Sequence, residues 1–184
     1  MTYNFRQNRG FTLIETMVAI TLISIAIVAP ITLSLKSLES AHYARDQVAA
    51  SFLAHEAIED VRAIRDGNIL NNNETGQSKV DVFNNIPIST LFLIDTALSK
   101  TWTNCTNRPL KVTSLGYYGY SNPDPCSSPP GWTASIFFRT VIADPVVTVA
   151  GVVEELRVTS TVTWTSTFGQ KSTSVTENIY RWNE

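Results

Sequence analysis

The amino-acid sequence predicts an α+β protein in which a long amino-terminal helix precedes an antiparallel β-sheet. Between Phe11 and Asp66 there is no glycine and a single proline, Pro30, and strong helix formers such as Ala, Glu, Leu and Arg are frequent. Later in the chain, residues 156–165 alternate strictly between the two faces of an expected strand, with threonine on one of them. We therefore expect a helical stem followed by a β-rich globular head at residues 67–184.

The first part of the stem has the length and composition of a membrane-spanning helix. Residues 11–35 form a run of 25 residues with one charged side chain, Glu15. A helix of that length spans ~37 Å, enough for a bilayer core of roughly 30 Å. A cleaved secretory signal peptide is the main alternative, but the apolar run is too long for one and no small-residue cleavage site follows it. Arg6 and Arg9 precede the run, so the amino terminus is expected in the cytoplasm and the head outside.

The second part of the stem, residues 36–66, predicts an extended amphipathic helix whose apolar side changes direction near Ala50. At ~100° per residue, a lower stripe of apolar side chains gives way to an upper stripe on nearly the opposite side. The lower stripe consists of Leu38, Ala41, Ala44, Val48 and Phe52, and the upper stripe of Leu53, Ala54, Ala57, Ile58, Val61 and Ile64. Two different surfaces must cover these stripes, and we expect the upper one to be buried under the chain's own sheet.

Two further sequence signals predict where the stem helix ends and where it bends. Gly67 and Asn68 predict the carboxy-terminal end of the helix, with Arg62 and Arg65 in its last turn to complement the helix dipole. Pro30 lacks a backbone N–H, and it predicts a kink or a local opening within the apolar run.

The junction between the polar leader and the apolar run carries a specific motif. Residues 10–15 read GFTLIE, and the apolar helix follows at once. This hexapeptide resembles the processing site of type IV prepilins and the related pseudopilins at every position. The resemblance implies that a membrane aspartyl peptidase cleaves after Gly10 and methylates the new amino terminus, on Phe11. Residues 1–10 would then be a leader peptide.

The same resemblance implies a role for Glu15, whose carboxylate is costly to place inside a membrane. In that family the carboxylate neutralises the amino terminus of a neighbouring subunit during assembly, which offsets the cost of its burial. In the alternative, Glu15 lies at the cytoplasmic interface and its side chain reaches water. The two arrangements can hold at different stages of the protein's life cycle. The family's stems commonly curve at a proline placed like Pro30. The lower stripe would contact neighbouring stems in a filament.

Three strands are predicted near the end of the chain, at residues 135–143, 156–165 and 172–182. Residues 168–171 predict a hairpin turn between the last two strands. In the middle strand the apolar side chains from Leu156 to Trp164 share one face, and four threonines share the other. The pattern predicts an antiparallel sheet with a solvated, threonine-rich face. The resemblance implies that this sheet lies across the upper stem.

Cys105 and Cys126 are the two cysteines of the chain, and both lie in the expected head. In an oxidising compartment an even count favours a disulfide, which would close a segment of 22 residues and contribute ~3 kcal/mol. Two reduced, buried thiols remain the alternative, and a metal site built on two cysteines alone is less expected. Aromatic residues near the pair form either an exposed binding loop or anchors of the core. They are Trp102, Tyr117, Tyr118, Tyr120 and Trp132.

The sequence contains no constellation that predicts catalysis or metal binding. His55 and Glu56 begin a pattern similar to a zinc-protease helix, but Glu59 stands where the second histidine is required, which favours a solvated helix face. No nucleotide-binding glycine motif and no Gly-x-Ser-x-Gly turn occurs. The net charge of −2 does not favour a nucleic-acid partner. We expect no enzymatic activity, no cofactor and no metal.

These observations and the resemblance predict a structural subunit of a type IV pilus-like filament or a secretion pseudopilus. The implied partners are the prepilin peptidase and methylase, other pilin subunits, the inner-membrane assembly platform and, before assembly, membrane lipid. The protein would be a single-pass protein of the inner (cytoplasmic) membrane and then part of an extracellular or periplasmic filament. The alternative is a membrane-anchored extracellular binding module, an adhesin or a DNA or polysaccharide receptor, that does not polymerise.

Overall fold

The computed structural model describes residues 10–74, 81–95, 100–120, 124–127, 131–167 and 169–181. Within these residues, one long helix, α1 (Leu13–Glu74), precedes seven strands, which confirms the predicted α+β class. The contacts divide the chain into two compact units, with the boundary between Ala44 and Arg45. The helix from Arg45 onward therefore belongs to the same unit as the strands.

The strands form two antiparallel sheets. The smaller sheet pairs β1 with β2, and the larger sheet has the order β4-β3-β5-β6-β7. Every pair of neighbouring strands in both sheets is antiparallel. The strands are β1 (Leu93–Asp95), β2 (Lys100–Trp102), β3 (Pro109–Thr113), β4 (Tyr118–Gly119), β5 (Trp132–Val149), β6 (Val152–Ser166) and β7 (Gly169–Tyr180).

The three predicted strands correspond to β5, β6 and β7, and the predicted alternation of β6 is confirmed. The side chains of Leu156, Val158, Val162 and Trp164 are buried, whereas the threonines between and after them are half-buried or exposed. The predicted turn at residues 168–171 is placed too late, because Gln170 and Lys171 already pair with β6. Gly169 lies opposite Ser166, so the ladder continues almost to the connection; Phe168 is outside the described residues.

The predicted end of the stem helix at Asp66 is wrong. Gly67 and Asn68 are helical, and α1 continues to Glu74. The Asn68 side-chain amide donates hydrogen bonds to the backbone oxygens of Val82, at 2.9 Å, and Asn84, at 2.8 Å. A glycine inside a helix costs only about 1 kcal/mol relative to alanine, and these tertiary hydrogen bonds offset that cost. The stop signal is a property of adjacent residues, whereas the hydrogen bonds that extend the helix come from a segment more than ten residues later in the chain.

The core of the head lies between α1 and the inner face of the larger sheet. All six side chains of the upper stripe are buried, and Ala57, Ile58, Val61 and Ile64 join one apolar cluster with side chains of β5, β6 and β7. The prediction that the upper stripe packs under the chain's own sheet is therefore confirmed. The lower stripe remains exposed, most of all at Phe52, whose side chain is 72% accessible.

Candidate functional site

Thr12 caps the amino-terminal end of α1, directly after the expected cleavage position. The backbone N–H of Glu15 donates to Thr12 Oγ1 at 3.3 Å and to the Thr12 backbone oxygen at 3.1 Å. The helix starts at Leu13, so Glu15 is its third residue and its only acidic residue in the first turn. A threonine followed three residues later by a glutamate is the sequence pattern of a capping box. The sequence interpretation missed Thr12, although this spacing identifies it as the cap.

Gly10 and Phe11 precede the helix and are open to solvent. Apart from its neighbours in the chain, no described residue has a heavy atom within 4 Å of the position that a Gly10 Cβ would occupy, and Phe11 is 80% exposed. The packing of the described chain therefore gives no reason for a glycine at this position. An external protein that must approach the backbone closely, such as a peptidase, would give one.

The helix that follows carries an apolar surface that none of the other described residues covers. Among the described residues, one helix is long and apolar enough to cross a membrane; its best window of 18 residues has a mean hydropathy of 2.4 and is not buried at all. Most side chains of this stretch are large and aliphatic. They include Leu13, Ile14, Val18, Ile20, Leu22, Ile23, Ile25, Ile27, Val28, Ile31, Leu33 and Leu35.

The serine and threonine hydroxyl groups of the apolar part of α1, residues 13–35, are all engaged by the helix itself. Five serine and threonine side chains between residues 16 and 34 donate to backbone oxygens three or four positions earlier, at 2.8–2.9 Å. One of them, Ser34, donates to the backbone oxygen of Pro30 at 2.9 Å. In a medium without water every polar group must find an internal partner. This segment meets that requirement for its hydroxyl groups, and Pro30 lies inside a continuous α1.

A group of buried and half-buried polar side chains lies in the head, around Arg139. This arginine is on β5 and only 1% exposed. Its Nη1 donates to the Leu53 backbone oxygen at 3.0 Å and to Glu56 Oε2 at 2.8 Å, and its Nη2 donates to the Ile94 backbone oxygen at 2.7 Å. Arg139 thus connects α1 and β1 with β5. The sequence alone did not identify Arg139, although it occupies the inward register of β5 between Phe137 and Val141.

Asp60 lies near this arginine, and its carboxyl group is partly buried. Burial raises the pKa of Asp60 from 3.8 to about 7; the positive charge of Arg139 opposes this shift and the carboxylate of Glu56 adds to it. The Oδ2 atom of Asp60 has no hydrogen-bond partner among the described residues. Nearby, the Tyr120 backbone N–H donates to Asp95 Oδ2 at 2.8 Å. Burial also raises the pKa of the Tyr120 hydroxyl to about 12.

Cys105 and Cys126 form a disulfide with a Cα–Cα distance of 5.7 Å. Asp124 lies beside them, and its Oδ1 accepts a hydrogen bond from the Cys126 backbone N–H at 2.9 Å. With both sulfur atoms in the disulfide, this group offers a metal ion no thiolate ligands. The surrounding aromatic residues divide between two roles: Trp102 and Tyr120 are buried and in edge contact, whereas Tyr117 is exposed.

The histidine and carboxylates at residues 55–59 do not converge on a site. His55 is exposed, Glu56 is paired with Arg139, and Glu59 is paired with Arg62 at 2.7 Å. The two carboxylates are used in ion pairs on or beside the helix, so the resemblance to a zinc-protease helix is confined to sequence.

One segment of this chain matches the model of a known family. Residues 5–29 match the prokaryotic N-terminal methylation motif, which is characteristic of type IV pilins and pseudopilins. This is a structural pilin motif and not an enzyme family. Searches of curated proteins and of solved structures give no match. The motif and the apolar helix together support membrane anchoring, with the head on the extracellular or periplasmic side.

Proposed function

We propose that the chain is a structural subunit of a type IV pilus-like filament or of a secretion pseudopilus. It polymerises through its amino-terminal helix after a prepilin peptidase cleaves between Gly10 and Phe11. The observation that carries this proposal is the methylation motif at residues 5–29, followed by a helix whose apolar side chains are exposed. Such a surface requires a lipid or protein partner.

The proposal divides the chain into four functional segments. Residues 1–10 are the leader, residues 11–35 span the membrane and later form the filament core, residues 36–66 extend the stem, and residues 67–184 form the head. The compact unit that begins at Arg45 supports a refinement, in which the upper stem is an integral part of the head and only the helix before it is free to exchange partners.

Glu15 is proposed to be neutralised by the amino terminus of another subunit. Its position in the first turn of α1, beside the Thr12 cap, places a negative charge where the helix dipole stabilises it. Cleavage after Gly10 would create a positive amine at Phe11 about one turn away. A like amine on a neighbouring subunit can pair with this carboxylate when the subunit leaves the lipid and joins the filament.

The proposed partners follow from the same steps. They are the prepilin peptidase and methylase, membrane lipid before assembly, the inner-membrane assembly platform and other pilin subunits of the same or another kind. The lower stripe, with Val48 and Phe52 exposed, is the proposed contact with neighbouring stems.

The amino terminus and mass of the protein recovered from its native membrane and from sheared filaments test this proposal. We expect an N-methylated Phe11 terminus in both fractions and recovery of the chain with the filaments. An intact Met1 terminus in native filaments would contradict the processing step, and absence from every filament fraction would contradict polymerisation.

A non-polymerising binding module remains the second candidate because the head exposes apolar side chains at one loop. Leu115 and Tyr117, between β3 and β4, are 81% and 69% exposed. In this case the processed chain would stay in the membrane fraction, and replacing both residues by serine would abolish binding of cells to a surface while leaving filament yield unchanged.

A further inference from the structure

β5 and β6 extend beyond the rest of the larger sheet as a two-stranded ribbon. On one side of the ribbon, the last pairing of β5 with a described segment other than β6 is the bridge between Ala143 and Ile88. On the other side, β7 ends where Tyr180 lies opposite Glu155. We call residues 145–153 the finger. Its tip is a two-residue turn of Ala150 and Gly151, both with positive φ, the geometry that suits a tight hairpin.

The finger is uncharged, and four of its five valines are exposed, while Val153 at its base packs against the core. Its sequence is PVVTVAGVV, and the side chain of Val149 is 58% accessible, with Val146, Val147 and Val152 just above 40%. A two-stranded ribbon in water is only marginally stable by itself. A cluster of exposed apolar side chains on such a ribbon marks a surface that another molecule covers.

The same head has an open apolar groove on α1. The groove has a volume of about 450 Å³ and its lining is mostly apolar. Phe52 lies on it and is 72% exposed. The two carboxylates of the groove are already engaged, because Glu56 pairs with Arg139 and Glu59 with Arg62. The lining residues are Ala49, Phe52, Leu53, His55, Glu56, Glu59 and Tyr118. An uncharged occupant could fill this groove without breaking an ion pair.

The finger and the groove adjoin different parts of α1. The finger is held at its base by Arg181, whose Nε donates to the Val153 backbone oxygen at 2.9 Å. Arg181 also pairs with Asp81, next to Val82, whose backbone oxygen accepts a hydrogen bond from Asn68. The groove is centred near Phe52, sixteen residues earlier in the helix, a distance of ~24 Å along its axis. The finger therefore cannot fill the groove of its own head.

We infer that the finger of one copy of this chain inserts into the groove of a second copy. The two surfaces differ, so the contact is head-to-tail. A contact of this kind gives a closed ring or an open helical filament, according to the rotation between successive copies, and the proposed function requires the filament. Each copy keeps the same direction, which a common membrane anchor requires. Phe52 also belongs to the lower stripe, so the groove is continuous with the surface proposed to contact neighbouring stems. The inference rests on the proposed function.

Site-specific photo-crosslinking in the full chain tests this contact. A benzophenone amino acid replaces Val149, and the same group at Ser172, an exposed position on β7, is the matched control. In filaments on the native membrane, we expect the Val149 probe to yield a two-chain product that maps to residues 49–59 or to Tyr118, and the Ser172 probe to yield none there. Products that map elsewhere, or adducts with lipid alone, would overturn the inference.

A charge in the finger provides a second, independent readout. Val149→Asp should lower filament incorporation about tenfold or more, because a carboxylate would enter an apolar groove, whereas Ser172→Asp should leave incorporation within about twofold. Equal incorporation of both variants would overturn the inference. If filaments form from chains that begin at Phe11 but the crosslink is absent, the inferred contact is wrong and the proposed function stands. A chain that keeps Met1 and never associates overturns the proposed function as well.

Discussion

The guanidinium group of Arg139 lies 2.8 Å from Glu56 Oε2, and this pair joins the central strand of the sheet to the stem helix. The two partners differ in environment, since the Arg139 side chain is 1% and the Glu56 side chain 37% exposed. Arg139 also donates to backbone oxygens of Leu53 and Ile94. The buried guanidinium group is therefore the centre of a network that holds α1, β1 and β5 together. Its hydrogen bonds to the backbone oxygens stabilise the head in addition to the ion pair with Glu56.

Arg139→Met should destabilise the head by about 3 kcal/mol, because two buried backbone oxygens and a carboxylate lose their donor. Denaturant unfolding of a soluble fragment that begins near Ala41 would measure the change in the free energy of unfolding. Arg62→Met is the matched control, since Arg62 pairs with carboxylates nearer the surface, and it should cost about 1 kcal/mol or less. A similar loss in both variants would contradict the role of the buried network.

Asp60 should make the head more stable at mildly acidic pH than at pH 8. The pKa of Asp60 is about 7 in the folded head, and its ordinary value is 3.8, so the folded state holds the proton more tightly than the unfolded state. This stabilisation is complete below about pH 4 and is lost as the pH rises through about 7. Because Asp60 is partly exposed, we expect an effect of the order of 1 kcal/mol.

The comparison of wild type with Asp60→Asn isolates this contribution from every other source of pH dependence. Thermal melts at pH 5 and pH 8 should show that the variant loses less stability than the wild type as the pH rises. The charged groups that act on Asp60 are Arg139, Glu56, Asp95 and Glu59. Parallel pH profiles for the two proteins would show that Asp60 titrates in the folded head as it does in the unfolded chain.

A charge in the two stripes of the stem should have opposite consequences. Val61 is fully buried and Val48 is 55% exposed. Val61→Lys should therefore lower the free energy of unfolding of the soluble fragment by several kcal/mol, whereas Val48→Lys should change it by less than about 0.5 kcal/mol. In the full chain, Val48→Lys should impair filament assembly. Thermal melts and filament yield, measured on the same pair of variants, check both halves; destabilisation by Val48→Lys would show that the stripes are wrongly assigned.

Replacing Gly10 with a bulky residue should block processing. The described residues leave room at this position, so Gly10→Leu should not disturb their structure and should act only on recognition by the peptidase. Mass spectrometry of the membrane fraction should find the full-length precursor in place of a chain that begins at Phe11. Normal cleavage of Gly10→Leu would contradict the proposed site.

Glu15→Ala should separate processing from assembly. The variant loses a charge in the apolar helix, so insertion and cleavage should remain normal while incorporation into filaments falls. Thr12→Ala is a useful comparison, because it weakens the helix cap seen at Glu15 N–H by ~1 kcal/mol and leaves the carboxylate in place. Full incorporation of Glu15→Ala beside wild-type subunits would show that the carboxylate has no role in assembly.

The sequence alone determined the features that depend on neighbours along the chain. The hexapeptide at residues 10–15, the apolar run after it, the two stripes of the stem and the alternation of β6 are all local patterns, and burial of Val61 and exposure of Val48 agree with them. Helical and strand periodicities decide which side chains share a face before any tertiary contact forms. The class of fold and the methylation motif could therefore be predicted.

Only the tertiary structure decided the features that depend on segments distant in sequence. Gly67 stays helical because Asn68 binds backbone oxygens of a later loop. Arg139 is buried because oxygens from α1 and β1 converge on one inward position of β5. The finger is exposed because the described segments that pair with β5 and β6 on either side end before it does. Periodicity assigns a residue to a face, but the partners across that face come from the packing of the whole chain, and their hydrogen bonds outweigh local preferences of about 1 kcal/mol.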